Sequence, residues 1–442
     1  MARICGRAAW TANNGTVASP ALLRPLRHRD FALLWTGLTA SLIGDGIFLV
    51  AVAWQVYELS DSPAALSLFG VSWTLGTVLC LLLGGVAADR FDRRLIMVLA
   101  DAVRLVCVVV LGVLAVTGVI EVWHLVALGV LFGGAEGFFN PAFGALIPQL
   151  VPAGDLVQAN AFQELARPLS IRLAGPAVGG VLVGAFGPGT ALLIDAGTFV
   201  VCMTCVLAIT PRPFAPPDAE AAPTSMRTQV AEGLAFVRAH AWLWGTLVTA
   251  SISLLCFYGP VEVLLPYLIR NDLGQPASAF GAVLAAGGLG GVAGALVMSQ
   301  RGLPVEHVRL MYLAWGLGLL PIAGYAVASA VWQLALLAAV FGACMSVGTV
   351  VWSTLMQTRV PPHMLGRVGS VDWLVSLGLT PISFALTAPV AALAGRDATL
   401  IGAGVLGCLA SLGLYVAVGD LRRDAQLWPA PAGAPDAHAR PA

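Results

Sequence analysis

Two carboxylates stand between glycines inside long apolar stretches: Asp45 in Gly44-Asp45-Gly46 and Glu136 in Gly133-Gly134-Ala135-Glu136-Gly137. A charge at mid-bilayer is costly, so each needs a cationic partner, a water-filled cavity or a proton. A carboxylate withdrawn from bulk water can take up and release a proton near neutrality, the chemistry that proton-coupled movement of a solute requires. Each acid therefore either carries a proton or is a structural acid paired with a buried arginine. Arg172, about 12 residues and ~18 Å into its own apolar run, is the natural partner for Glu136, as part of the proton chemistry or as a structural clamp. The flanking glycines permit close helix approach or local bending.

The elements that position these groups follow from composition. The chain has 442 residues, 58% hydrophobic and only 10% charged, with mean hydropathy +0.87, too apolar for a soluble protein of this size. A bilayer-crossing helix needs about 20 mostly apolar residues. Such runs occupy 31–57, 64–88, 95–118, 122–148, 161–186 and 188–210, then 242–269, 276–300, 309–328, 331–356, 368–394 and 398–418. An all-α membrane protein with twelve transmembrane helices is expected.

Cationic loops resist translocation. With both termini cytoplasmic, the loop arginines fall on the inner side save Arg270 and Arg396, while Arg104, Arg167 and Arg172 lie within spans. One missed helix would invert half of that pattern. All 23 basic residues are arginine and the net charge is zero, so no nucleic-acid partner is indicated. Of eight cysteines all but Cys5 fall mostly in apolar runs and read as small packing residues; no metal site or cofactor is expected. No clustered histidines, phosphate loop or nucleophile elbow points to an enzyme.

The chain divides into a cytoplasmic segment 1–30, a six-helix bundle 31–210, a cytoplasmic linker 211–241 and a second bundle 242–418, followed by a tail 419–442. The linker is proline-rich from Pro211 to Pro223, and Met226 to Trp244 reads as an amphipathic helix on the membrane surface. Leu146, Val151, Pro152 and Leu156 echo Leu355, Val360, Pro361 and Leu365, a trace of duplication. Two such halves are a known solution for alternating access around a midplane site.

Gly85-x-x-x-Asp89-Arg90-x-x-Arg93-Arg94 resembles the signature loop of the major facilitator superfamily, with Asp92 where a glycine is usual. Phe139-Asn140-Pro141-Ala142, Ala159-Asn160, Gly175-Pro176-x-x-Gly179-Gly180, Asp195 and Gly366-Arg367-Val368-x-Ser370 narrow the resemblance to the drug-proton antiporter branch that includes enterobactin exporters and macrolide efflux pumps. It covers roughly residues 24–420. The helix-5 motif is partial, and the arginine that many antiporters carry on helix 4 is missing; Arg172 stands as its replacement.

The resemblance implies that spans 1, 4, 7 and 10 line a central cavity, placing Asp45, Glu136 and Glu262 there together with the aromatics Trp54, Phe138, Phe139, Phe257, Tyr258 and Trp352. Those aromatics would accept bulky amphipathic compounds, or pack against lipid and core. Glu262, between Pro260 and Pro266, is a cation-recognition or coupling group, or a water-facing vestibule residue. Gly85, Asp89, Arg90, Arg93 and Arg94 form a cytoplasmic gate in which Asp89 meets the positive start of span 11. Asp101 and Arg104, spaced i, i+3, pair or join that network, as does Asp372. Asp195 is read as a brace on a peripheral span. The expected activity is export of amphipathic small molecules, drug or siderophore in type, in exchange for protons by a monomer in the bacterial inner membrane. An importer or uniporter on the same fold, or a non-transporting sensor, is the alternative.

Overall fold

The computed structural model describes residues 21–152, 155–156, 159, 167–211, 226–301, 304, 306–361 and 364–417. The motif residue Asn160 lies outside them, as does most of the proline-rich linker, and the side chains of Asp89 and Ser370 are likewise outside what is described.

Among the described residues, eleven stretches are long and apolar enough to cross a membrane. They make twelve spans, because Leu169–Leu207 is 39 residues long, about 58 Å of helix and twice the hydrocarbon thickness. It breaks at Gly187, whose φ of 80° and ψ of 164° lie where side chains other than hydrogen are strained. The chain is therefore a multi-pass membrane protein.

Span 1 is Arg29–Leu59, span 2 Pro63–Arg90, span 3 Arg93–Val116 and span 4 Val122–Leu150. Spans 5 and 6 share Leu169–Leu207 and meet at Gly187. Span 7 is Ala241–Tyr267 extended by a π turn at Leu268–Asp272, and span 8 is Ala277–Arg301. Span 9 comprises His307–Gly318 and Leu320–Tyr325, span 10 is Val331–Arg359, span 11 comprises Leu365–Gly378 and Thr380–Ala394, and span 12 is Arg396–Ala417. Spans 9 and 11 break just before Pro321 and Pro381, where a ring replaces the amide proton that would continue the ladder.

The ends are chemically specified. Ser62 accepts from the amide of Ala64 (3.3 Å) with Pro63 at the first helical position. Asp92, in the place of the usual glycine, caps span 3 by accepting from the amide of Arg94 at 2.8 Å. Large side chains such as Leu79, Leu83, Leu99, Val106, Leu393 and Leu406 stand exposed on the outer surface, as lipid-facing positions do.

Packing is densest between span 1 and the continuous helix of spans 5 and 6 and between spans 2 and 4 in the first half, and between spans 8 and 10 in the second. The halves meet through spans 5 and 8 and through spans 2 and 11. The linker helix is shorter than expected, Met226–Ala239, with extended backbone at His240 before span 7. It also docks on protein rather than only on a membrane surface. Val237 is 3% exposed, Glu232 forms an ion pair with Arg367 at the start of span 11, and Gly233 lies against the Arg367 backbone.

Candidate functional site

Span 3 carries Asp101 and Arg104 on one face, 0% and 3% exposed, and the two pair directly. Eight residues past Arg93, Asp101 lies ~12 Å along the helix, too deep for a surface gate. The second arm of the guanidinium reaches across to span 1, where Nη1 stands 3.7 Å from Oδ1 of Asp45. Arg104 is thus the partner of Asp45, and of the two expectations for Asp101 and Arg104 it is the i, i+3 pair within span 3 that the structure has, not a place in the cytoplasmic gate. The guanidinium is roofed by the rings of Phe139, Phe199 and Phe132 at 4.6, 4.8 and 5.8 Å, contacts that favour a cation withdrawn from water.

Asp195 on span 6 completes the group rather than serving as a peripheral brace. It is 0% exposed, its Oδ1 accepts from Thr198 Oγ1 at 3.1 Å, and both side chains press so closely on Gly44 that a Cβ there would overlap them. Among the described residues, Oδ2 of Asp195 and Oδ2 of Asp101 have no hydrogen-bond partner, and Oδ1 of Asp45 has only the longer ionic contact with Arg104. Asp101 and Asp45 thus approach this guanidinium directly, and Asp195 lies close enough to feel its charge. A buried excess of negative charge costs several kcal/mol.

Glu136 sits nearby, held by different groups from those expected. Trp73 Nε1 donates to Glu136 Oε2 at 2.9 Å and Thr77 approaches at 3.5 Å; no contact joins Glu136 to Arg172. The glycines explain this choice. A Cβ at Gly133 would collide with the carbonyl oxygen of Trp73, and one at Gly137 would lie 2.8 Å from that of Thr77. Bare backbone lets span 2 press against span 4 and delivers both donors to the acid.

Span 5 turns its arginines toward the other half. Leu169–Ala174 is a π turn, closed by the Gly175 amide on the Ser170 carbonyl, and it carries Arg172. Bonds of this i→i+5 type bring residues five apart, here Arg167 and Arg172, closer to one face. Arg172 is exposed and its charge acts on Tyr258 and Glu262 of span 7, while that of Arg167 acts on Asp45 and Tyr258. Glu262 lines a narrow apolar cleft between the halves with Phe48, Phe69, Trp73, Phe280 and Phe384. Phe257 stacks on Phe341 at 4.8 Å and tilts against Tyr258 at 5.2 Å.

Other aromatics leave the cavity set. Phe139 is buried beneath Arg104, Phe138 packs with the inner core of the first half, and Trp54 lies under Arg270 at 5.9 Å. Trp352 packs on Trp242 at 6.1 Å and donates to Asp372 Oδ2 at 3.3 Å, so Asp372 is held within its own half.

The signature loop likewise binds its own bundle. Arg93 donates to the carbonyls of Ala88 and Ala145, both at 3.2 Å. Arg94 donates to those of Val206 and Leu207 at 3.3 and 2.9 Å, a cation on the last carbonyls of span 6. Arg90 is exposed. Gly85 has open space where a Cβ would be, whereas its neighbour Gly84 touches the backbone of Gly137 and Phe138. Of the helix-5 motif, Gly175 faces Gly46, Gly179 faces Ile47, and Gly180 faces Gly281 of span 8. The carbonyl of Pro176 also meets Gly281.

At the opposite end the halves are tied together. The hydroxyl of Tyr57, 1% exposed, donates to the carbonyl of Val263 at 2.6 Å. Arg270 and Asn271 each approach Asp61 at 3.5 Å, and Arg396 pairs with Asp272. Removing the hydroxyl in Tyr57→Phe is expected to destabilise this end by about 1 kcal/mol, leaving the Val263 carbonyl unpaired. Thermal unfolding of the two proteins in detergent measures it, and equal midpoints would show that the bond contributes nothing.

A family model described as transmembrane secretion effector matches residues 20–431. The chain belongs to that family, within the major facilitator superfamily. The chain is 27% identical to the multidrug efflux pump Tap of Mycolicibacterium fortuitum over 84% of its length and 90% of the relative. It is 28% identical to the enterobactin exporter EntS of Citrobacter koseri over 92% and 96%. A bacterial homologue of the iron transporter ferroportin, solved in an inward-facing state, shares the fold with a TM-score of 0.65 at 15% identity, covering 88% of this chain and 98% of that one. Membership places the protein among transport proteins rather than enzymes. Arg167 and Arg270 are located in the sequence reading but given no role there, and Asp195 is placed on a peripheral span. Intramembrane charge was the available signal for Arg167, since any ionisable group inside a span merits a functional reading.

Proposed function

We propose that this protein exports amphipathic small molecules from the cytoplasm in exchange for protons by alternating access. The relatives named for drug efflux and enterobactin export support the direction. The observation that carries the coupling is the cluster of Asp45, Asp101 and Asp195 near Arg104, with Glu136 close by on span 4. A proton entering that group relieves a charge imbalance, and its departure restores one, so protonation biases the packing of spans 1, 3 and 6. The halves are joined at the Tyr57–Val263 end, which we take as the outer side, so the conformation is inward-facing. On this reading both termini are cytoplasmic, the protein is a monomer of the inner membrane, and the bundles 31–210 and 242–418 rock against each other.

Substrate-driven proton release in inverted vesicles tests it. Asp45→Asn and Glu136→Gln are expected to lower drug-dependent dissipation of an imposed pH gradient by roughly tenfold or more, in line with loss of a required proton carrier. Equal flux in all three proteins would sink the antiport reading and leave uniport.

A further inference from the structure

Trp73 belongs to two contacts at once. The edge of its indole donates to Glu136 Oε2 at 2.9 Å, and the residue walls the cleft where the halves meet, together with Phe280 of span 8 and Phe384 of span 11. Bare backbone makes both contacts possible. Gly133 leaves room for the Trp73 carbonyl, which sets the indole beside an acid three residues further along span 4. One turn earlier on span 2, the ring of Phe384 fills the place where a Gly70 Cβ would stand. Gly70 and Trp73 are i, i+3 neighbours, so the seat of Phe384 and the indole share a helix face. The indole meets Phe48 at 6.4 Å and Phe132 at 6.3 Å, both edge to face, and tilts on Phe69 at 6.2 Å. The cleft beside it holds space for about one water molecule. A ring so wedged has little freedom to turn unless its neighbours move.

We propose that Trp73 is the positioning residue through which the charge of Glu136 sets the contact between the two halves. The inference rests on the reading of Glu136 as a proton carrier and supplies the link from that proton to span 11. A bond from an N–H to a carboxylate is charge-assisted, about twice as strong as one to a neutral acceptor. A proton arriving on Glu136 removes that charge and loosens the indole. The wall on which Phe384 rests then yields, and spans 2 and 11, which join the halves here, lose a fixed seat. Departure of the proton draws the indole back. The effect runs both ways, because an indole held in place by the second half favours the carboxylate and helps to expel the proton. The charged and titratable groups within electrostatic reach of Glu136 are Asp45 on span 1, Arg104 on span 3 and Tyr258 on span 7. Thr77 approaches it from span 2, and Glu262 of span 7 shares the cleft with the indole.

Trp73→Phe tests this in the purified full-length protein, since it keeps a ring and removes the N–H. The infrared carbonyl band of the protonated carboxyl is assigned by its absence in Glu136→Gln. In Trp73→Phe that band should persist to a pH about one unit higher than in the native protein, a tenfold gain in proton affinity, because a donor to the charged form has been lost. Spin labels at positions 75 and 386, exposed on spans 2 and 11 beside the cleft residues, should change separation with pH, and the midpoint should move up by the same amount. A merely structural tryptophan would lower the melting temperature and leave both midpoints in place. An unmoved band midpoint in Trp73→Phe overturns the proposal. So does a label separation that follows pH alike in the native protein and Glu136→Gln, a comparison that holds even where Trp73→Phe fails to fold. Proton release lost in Glu136→Gln vesicles, with Trp73→Phe titrating like the native protein, would leave proton exchange standing and remove this link. Native proton release in Glu136→Gln, with no band assignable to it, would instead remove the proton-carrier reading on which the link rests.

Discussion

Arg104→Ala is expected to unfold the first half more readily than any other single change in it, by about 3–5 kcal/mol, because it strands Asp101 as a buried charge beside two further acids. The rings of Phe132, Phe139 and Phe199 would then roof an empty space in place of a cation. A second protein separates charge balance from packing. In Asp101→Leu combined with Arg104→Leu, a buried pair is exchanged for apolar groups of similar size, a change that is often neutral or stabilising. That double variant should regain most of the melting temperature lost in Arg104→Ala while transport stays absent, because Asp45 loses the cation that stands 3.7 Å from it. Thermal unfolding in detergent and drug efflux from cells report the two properties separately. A single variant that melts like the native protein would show that Arg104 is not the balancing charge. A double variant that pumps normally would show that balance is not used in transport.

Gly281→Val is expected to part the halves at the end now closed. Its new Cβ would run into the carbonyl oxygen of Pro176 and come 2.9 Å from the Cα of Gly180, and these are backbone atoms that cannot swing aside. Spans 5 and 8 must separate there. Each half keeps its own packing, so the melting temperature should change little, whereas efflux should fall by roughly tenfold or more if closing this end is required for substrate release and reset. Spin labels at positions 61 and 271, whose native side chains approach at 3.5 Å, should move apart in the variant. Labels that stay together with efflux intact would mean that the close span 5 to span 8 contact is dispensable.

The span limits were legible because a polar backbone in lipid must satisfy itself over the whole thickness of the bilayer, which forces apolar runs of a set length. Glycines around Glu136 announced a close helix contact, and Gly133 and Gly137 make one. The partner of Asp45 was not legible. Three intramembrane arginines were available, Arg104, Arg167 and Arg172, and depth along a span does not say which way a helix is rotated. One residue changes that rotation by about 100°, the same reason that Gly84 rather than Gly85 touches span 4. The π turn beneath Arg172 adds a further rotation that no residue type in Leu169–Ala174 signals.

The break at Gly187 makes spans 5 and 6 the two arms of one elbow. Gly189, on the far side of the joint, is seated against the end of span 3, where a Cβ would lie 2.9 Å from the Val116 amide nitrogen, so the joint has a fixed bearing. One arm carries Arg172 and the other carries Asp195. With a single glycine joint between them, a movement of span 5 is expected to be felt at span 6 and at the carboxylates near Arg104. Lengthening the joint by a few flexible residues would uncouple the arms while leaving every side chain of both in place.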